Sequence, residues 1–488
     1  MKKIILVLLL VPFLSYGQQK YNPKIITKST DKVVKEIKKI NELMDEAVYY
    51  EGMRPKQYDN FEKLKKIASK EELIELTNHP NGVVRCYAFW ALSYNKSVDL
   101  FPIVLNHIND DKLVKTQFGC IGSQEMVGDF FISIITPQYV DWELTKFDSV
   151  QREQLDSILI YSDSKLYAKS KAIRSAKPTE SLYPKIRELY IKENNQPALV
   201  TLAKYKKLED IPLILNNEDK YRKYENYFYT YKAILEFPHE DFLPLLEKKL
   251  YETLDDEYYS NEWSILYQAI AKYKNAKAIE LLTVPFTQVK HEDIREYHME
   301  FVYNAIRNNK DEMYDSLLWK LWSEENIITP GVFQYLLEKD SIKVLELTKK
   351  NMANIAEINY LVNYASNLDT KESMISMMLN FIKKNDYELG LEIIRENIKS
   401  THVHQMPIFT DKVMELKDSS FVEPLFERLA KEWNAHVYLA IAEALLSYQD
   451  DAINKRILQT RKTNDNLNKG WGSEDLDELL NKINQITK

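Results

Sequence analysis

Hydrophobic residues recur at a helical spacing along almost the whole chain. They occupy positions i, i+3, i+4 and i+7 of successive segments, which places one apolar face along each amphipathic helix. Two segments show this clearly: Val33, Ile37, Ile40, Leu43 and Met44, and Phe421, Val422, Leu425, Phe426 and Leu429. Short polar breaks separate the segments, and such connections join antiparallel neighbours. The pattern predicts an all-α fold of about 25 helices, without two-residue β-hairpins.

Short sequences repeat along the chain. Residues 203–206 (AKYK) recur as residues 271–274, 68 positions later. Residues 99–104 (DLFPIV) recur as residues 241–246 (DFLPLL), with a looser copy at 421–426. The proline of each copy is expected in the first turn of a helix, where its missing N–H costs no hydrogen bond. The copies predict repeated helical pairs with a period of about 30 to 35 residues.

The clearest unit covers residues 73–108. Its segment 79–92 (HPNGVVRCYAFWAL) resembles the HEAT repeat, in which a turn precedes an inner helix that opens near a basic residue, here Arg85. The next turn, residues 109–115, resembles the same junction, with Lys115 at the position of Arg85.

The resemblance implies an α-solenoid of antiparallel helical pairs, a HEAT-like (armadillo-like) superhelix. In that family the basic residue and an aspartate of the turn link successive repeats. This chain departs from the pattern, because His79 occupies the aspartate position before Arg85. The period of about 30 to 35 residues is shorter than the HEAT period and equals that of the tetratricopeptide repeat, which is the alternative architecture.

The first 17 residues have the layout of a secretory signal peptide. Lys2 and Lys3 precede an apolar run over residues 4–14, and a cleavage site follows between Gly17 and Gln18. The run is shorter than the roughly 20 residues that a bilayer span needs. We therefore expect an exported chain with no membrane span in its mature form. A periplasmic location is favoured over secretion, because the helical pattern continues to the C-terminal end.

The chain is expected to divide into three segments. A signal peptide over 1–17 precedes an N-terminal lead and first helix over 18–57, and a helical-repeat solenoid occupies 58–488. An irregular insertion interrupts the solenoid at about 119–150. The last helix is expected over 473–486, opening on a serine that suits a helix N-terminus.

Composition removes several classes of protein. Glycine contributes only 10 of 488 residues, so glycine-rich nucleotide-binding folds are poor fits. The chain has 66 basic and 73 acidic residues, a net charge of −7. An acidic exported protein is a poor nucleic-acid binder, because phosphate neutralisation supplies most of that affinity. Cys86 and Cys120 are the only cysteines, and both a disulfide and two packed thiols stay open.

Three glycines cluster in residues 119–129. No Lys-Ser or Lys-Thr pair follows them, so the segment does not suit a phosphate loop. It interrupts an expected inner helix. One interpretation is a helix break that redirects the superhelix; the other is a partner-binding loop that offers Glu125 and Asp129.

A tyrosine-rich segment is the other binding candidate. Tyr221, Tyr224, Phe228 and Tyr231 share one helical stripe, with Tyr227 at its edge, and Trp263 adds an aromatic ring to the following helices. Tyrosine is a frequent anchor of protein interfaces, and aromatic rings also stack on sugars. The alternative is that the stripe belongs to the core.

No sequence motif indicates catalysis, a metal or a cofactor. The chain lacks HExxH and G-x-S-x-G, and its eight histidines form no ligand spacing. We expect a non-enzymatic protein-binding or scaffolding module of the cell envelope with a protein partner. The alternatives are a glycan-binding protein, and an envelope enzyme with a site in the concave face. Such an enzyme would have a deep cavity holding acidic or histidine side chains of shifted pKa.

Overall fold

The computed structural model describes residues 20–136, 141, 143–219, 225–355 and 371–486, without the side chains of 371–373 and 482–486. Helices dominate, so the predicted all-α class is confirmed. The chain divides into two compact units, residues 1–245 and 246–488. No helix in the described ranges is both long and apolar enough to cross a bilayer. The signal peptide and its cleavage residues Gly17 and Gln18 lie outside the described residues.

The first unit contains twelve helices and a three-stranded sheet among its described residues. The helices are α1 (Lys28–Ile40), α2 (Lys56–Ile67), α3 (Lys70–Leu76), α4 (Gly82–Ser93), α5 (Phe101–Asn106), α6 (Val127–Ile135), α7 (Ser149–Tyr161), α8 (Tyr167–Ser175), α9 (Tyr183–Glu193), α10 (Gln196–Ala203), α11 (Ile211–Leu215) and α12 (Phe228–Glu236). The strands are β1 (Leu43–Val48), β2 (Leu113–Gly119) and β3 (Ile121–Met126).

Helix α13 (Leu243–Thr253) contains the boundary between the units, and the second unit is helical throughout its described part. Its helices are α14 (Glu262–Ala271), α15 (Ala276–Thr283), α16 (Pro285–Gln288), α17 (Glu292–Asn308), α18 (Asp315–Glu325), α19 (Pro330–Lys339), α20 (Ser341–Ala353), α21 (Lys371–Asn385), α22 (Tyr387–Ser400), α23 (Met406–Leu416), α24 (Val422–Leu429), α25 (Ala435–Leu446), α26 (Asp451–Thr463), α27 (Asp465–Lys469) and α28 (Ser473–Ile486). The predicted bounds of the last helix are confirmed.

Strand β1 corrects the first predicted helix. Asn41 adopts a left-handed conformation (φ 55°), which ends α1 before Leu43 and Met44. Both residues are buried, but in a strand that runs parallel to β2. The hydroxyl of Tyr87, buried in α4, donates to the Met44 carbonyl at 3.0 Å and accepts from the Met44 N–H at 2.8 Å. The apolar spacing was compatible with a helix, and the left-handed residue decided otherwise.

The glycine segment forms a hairpin, which corrects the predicted helix break. Strands β2 and β3 pair antiparallel with Phe118 opposite Ile121. Gly119 has a positive φ of 54° in the two-residue turn, a conformation that favours glycine. Lys115 is exposed on β2, so it does not take the helical position of Arg85. The irregular region therefore begins earlier than predicted, at Leu113, and the regular helix α6 lies inside it.

The internal repeats correspond to repeated local structure. Residues 203–206 and 271–274 each end a helix, and Lys206 and Lys274 both adopt the left-handed conformation (φ 53° and 47°). The prolines of α5 and α13, Pro102 and Pro244, lie in the first turn, as predicted. Helices near in sequence pack together, such as α8 with α10 and α10 with α12. The HEAT-like superhelix itself stays a prediction.

A buried ion pair connects α4 to the turn after α5. Every residue of α4 is buried, including Arg85. Its guanidinium meets the Asp110 carboxylate at two positions, Nε–Oδ2 and Nη2–Oδ1, both 2.9 Å. The His107 ring contacts the same carboxylate at 3.1 Å, and Arg85 also donates to the His79 carbonyl at 2.7 Å. The turn after α5 thus supplies the acidic partner that the HEAT pattern places before Arg85 and that this chain lacks at that position.

The start of α6 packs against the same turn. The Gly128 N–H donates to the Asp110 carbonyl at 3.0 Å. A Cβ atom at Gly128 would lie 2.5 Å from the His107 carbonyl oxygen, so only glycine allows this approach. Burial opposes ionisation of Asp110, but the hydrogen bond from His107 and the charge of Arg85 hold its pKa below the usual value.

Asp110→Asn should lower the free energy of unfolding by about 3 to 5 kcal/mol, because it leaves the Arg85 charge buried without a counter-ion. Urea denaturation followed by circular dichroism measures the change. Asp31→Asn is the matched control, since Asp31 pairs with Lys35 on the surface and its loss should cost less than about 1 kcal/mol. Equal, small effects of the two substitutions would contradict a structural role for the buried pair.

Candidate functional site

The described part of the tyrosine stripe belongs largely to the core. Tyr221 and Tyr224 lie outside the described residues. Tyr231, in α12, is 1% exposed, and Tyr227 stacks on it with ring centroids 6.0 Å apart. Tyr227 is half-buried. Burial leaves Tyr231 no surface to offer a partner, so the core interpretation describes it better than the binding one.

Trp263 is also a core residue, at 2% exposure in α14. Its ring stacks on the imidazole of His298, with centroids 4.7 Å apart. The same imidazole forms a buried hydrogen bond through Nδ1 with the Tyr267 hydroxyl, at 2.7 Å. Burial lowers the pKa of His298 to about 4, so its imidazole is neutral at pH 7. The arrangement stabilises the second unit and does not offer Trp263 to a ligand.

Asp129 connects two helices of the first unit. Its carboxylate oxygens accept from the backbone N–H groups of Tyr167 and Ala168 at 3.0 and 2.8 Å. These N–H groups open α8, where a helix leaves its first donors without intrahelical partners. The hydrogen bonds give Asp129 a structural role, as the cap of a neighbouring helix.

Glu125 is the predicted residue that does line a cavity. The register of the hairpin sets it opposite Val114, and cross-strand partners share one face of a sheet. That face carries the buried residues Val114 and Thr116, so a carboxylate lies on the side of the sheet that packs against helices. Burial, with a contribution from the neighbouring Asp129 carboxylate, raises the pKa of Glu125 to about 7.

Five aromatic rings from four elements and one helix end surround this cavity, which encloses about 580 Å³ and is named here the aromatic cavity. The rings belong to Tyr58 of α2, Trp90 of α4, Tyr94 at the end of α4, Phe118 of β2 and Phe130 of α6. Ser133 of α6 completes the uncharged lining.

Trp90 lies at the centre of these rings. Tyr58, Phe118 and Phe130 each meet it edge-on, with centroids 6.1, 6.5 and 6.0 Å away. Phe61 stacks on it from the core at 4.6 Å. The indole is 3% exposed, so its position is set by packing on several sides. The cavity wall is therefore held in one arrangement before any ligand arrives.

The remaining lining is acidic: Asp45 and Glu46 of β1, Glu125 of β3, and Asp141. Glu46 forms an ion pair with Arg54. Asp141 accepts the Tyr94 hydroxyl at 2.6 Å. Within the described residues, neither Asp45 nor Glu125 has a basic side chain at ion-pair distance, and no lining residue of the cavity is basic.

The pKa of Tyr58 is affected by the acidic environment of the cavity. Burial and the nearby carboxylates, Glu62 and Glu46 first among them, raise the pKa of Tyr58 to about 12. Two cations of the chain already lie over rings of the cavity. The Arg54 guanidinium is 4.8 Å from the centroid of Tyr58, and the Lys65 ammonium is 4.4 Å from that of Tyr94. These distances are those of cation–π contacts.

Other sites for chemistry are sparse in the described ranges. No group of three or more His, Cys, Asp or Glu side chains converges there to hold a metal ion. Both cysteines are free: Cys86 is buried, which raises the pKa of its thiol, and Cys120 is exposed in the hairpin turn. The prediction of two packed thiols therefore describes only Cys86.

Sequence reasoning missed most of the cavity. Only Glu125 was a candidate, and none of the five rings was. The signal that reveals the site is the alternation Val114, Thr116 and Phe118, which is typical of a half-buried strand. Once these residues are assigned to a strand, the alternation places Phe118 on the face that packs against helices, together with Val114 and its cross-strand partner Glu125.

The contribution of His298 and His79 to stability should fall as the pH falls from about 6.5 to about 4, because burial lowers the pKa of both to about 4. In this pH window histidines of the unfolded chain bind protons and the two buried histidines do not. Each of them therefore lowers the free energy of unfolding by up to about 1.4 kcal/mol for each pH unit of acidification.

Denaturation of His298→Phe across the same pH window isolates one histidine. This variant should be less stable than the wild type at pH 7, since Tyr267 loses its partner, but its stability should depend less steeply on pH. A slope equal to that of the wild type would contradict a neutral, buried His298.

Comparison with known proteins finds no matching family model, curated protein or solved structure. The functional inference therefore depends on the aromatic cavity itself, on its rings, its carboxylates and their partners.

Proposed function

We propose that this chain is a non-enzymatic, exported binding protein that holds a partner protein at the aromatic cavity. The observation that carries the proposal is a cavity in which the half-buried rings of Tyr94 and Phe118 lie in front of three buried rings. Two carboxylates of the same cavity, Asp45 and Glu125, have no basic partner among the described residues. Aromatic side chains in preformed pockets are the usual anchors of protein interfaces. Export is inferred from the N-terminal sequence, and a periplasmic location is favoured over secretion.

The fold is compatible with this role. Pairs of packed helices give a broad surface on which a partner can lie, and repeat proteins use such surfaces for binding. This step is an analogy at the level of the fold. The aromatic cavity supports binding independently of that analogy, because it is a local pocket with walls from both the sheet and the helices. Scaffolding would then require a second contact elsewhere on the chain.

An enzyme is the second candidate, and one observation favours it. A carboxyl group with a pKa of about 7, as burial gives Glu125, suits a general acid or base at neutral pH. Its cavity also holds further carboxylates. An enzyme acting through Glu125 would turn over its ligand, and Glu125→Gln would abolish turnover while the ligand still binds. A glycan stacked on the rings is a further outcome that the same binding experiments would reveal.

Ser133→Trp should abolish recovery of the partner, because the indole would occupy the aromatic cavity. Crosslinking of the tagged chain in the envelope fraction, followed by co-purification, measures recovery. Ser175→Trp is the matched control: like Ser133, Ser175 lies on a helix and bonds the carbonyl three residues earlier, but it is exposed on α8. A partner recovered equally with both variants, or no specific partner in repeated trials, would refute the proposal.

A further inference from the structure

The charge inside the aromatic cavity is unbalanced. Four carboxylates line it, and two of these are accounted for: Glu46 pairs with Arg54, and Asp141 accepts the Tyr94 hydroxyl. Asp45 and Glu125 remain, and the described residues of the lining include no basic side chain. A concave site with walls of low dielectric concentrates the field of such charges. The cavity therefore attracts a positive group.

The rings act in the same direction through a different interaction. Aromatic faces attract cations because the ring quadrupole is negative at the face. The chain itself demonstrates this at the cavity wall, where the Lys65 ammonium lies 4.4 Å from the centroid of Tyr94. Lys65 is held there by an ion pair with Glu62 at 2.6 Å, so among the described residues it gives Asp45 and Glu125 no ion-pair partner.

We propose that the aromatic cavity binds an alkylammonium group, supplied by a lysine side chain of the partner protein. This inference rests on the proposed function and names the chemistry that the partner brings. The four-carbon stem of lysine packs on apolar rings while its compact ammonium reaches a carboxylate. A cavity of about 580 Å³ accommodates that side chain together with its neighbours. A metal ion is disfavoured, because it requires several converging oxygen or nitrogen ligands.

Protonation of Glu125 links binding to pH. Asp129 of α6 and Cys86 of α4 lie near Glu125, and none of the described titratable groups near it or in the cavity lining is cationic. The lining contributes Asp45, Glu46, Tyr58, Tyr94 and Asp141. Burial raises the pKa of Glu125 to about 7, so part of the population is neutral at physiological pH. A bound ammonium favours the carboxylate and releases that proton. Affinity should therefore rise as the pH rises from about 6 to about 8.

Calorimetric titration of the full chain with n-butylammonium tests the inference directly. We expect saturable binding of n-butylammonium at pH 8, and at least about tenfold weaker binding of 1-butanol, a neutral molecule of the same length. n-Butylguanidinium forms a third arm, which distinguishes a lysine-like from an arginine-like ligand. Equal binding of 1-butanol and n-butylammonium would overturn the inference, and so would tighter binding of the guanidinium.

Two variants locate the ammonium. Glu125→Gln should weaken n-butylammonium binding about tenfold at pH 8 and remove its dependence on pH. Asp45→Asn should weaken it as well, and provides a second readout if Glu125→Gln folds poorly. Glu153→Gln, on the exposed side of α7, is the control and should bind as the wild type does. Wild-type affinity in both cavity variants would overturn the inference.

The two proposals fail separately. If n-butylammonium does not bind, but Ser133→Trp still loses the partner, the cavity is an interface for a partner of other chemistry. If n-butylammonium binds, but Ser133→Trp retains the partner, the cavity recognises ammonium groups and the proposed function is wrong.

Discussion

The ion pair between Arg85 and Asp110 is the contact on which the first unit depends. Helix α4 is buried along its whole length, so it brings a guanidinium into the interior, and a buried charge requires a counter-ion. Asp110 supplies it only if the turn after α5 returns to the start of α4. Strand β2 begins three residues later, and the Asp110 carbonyl accepts from the N–H of Gly128 at the start of α6. One electrostatic requirement thus positions a helix, a hairpin and the next helix together.

The aromatic cavity is a consequence of this arrangement. Its rings come from α4, β2 and α6, which the ion pair holds in place, and from α2, whose Phe61 stacks on Trp90. The hairpin register then brings a carboxylate, Glu125, onto the same face as the apolar residues of β2. Its burial is unfavourable for folding, which is visible in its raised pKa. A ligand with a positive charge would relieve that cost, whereas the structural carboxylates Asp110 and Asp129 already have their partners.

Helical spacing predicted the fold class, the first-turn prolines and the bounds of α28, because these depend on local periodicity and capping. The strands were missed for equally local reasons. Leu43 and Met44 continue the apolar spacing of α1, and only the left-handed Asn41 separates them from it. Glu125 was found through its neighbouring glycines, but the rings around it come from elements far apart in sequence. Such a site depends on pairing register and long-range packing, which a single sequence does not display. The tyrosine-rich segment shows the opposite error. Its composition suggested a binding surface, but Tyr231 is buried in the core.

A crystal structure of the chain grown with n-butylammonium tests the central claim most directly, because it shows where a primary ammonium with an alkyl stem binds. We expect the ammonium nitrogen inside the aromatic cavity, within about 6 Å of the ring centroids of Phe118 or Tyr94 and facing the Glu125 carboxylate. A cavity without the probe at saturating concentration, or a probe bound only elsewhere on the chain, would contradict it.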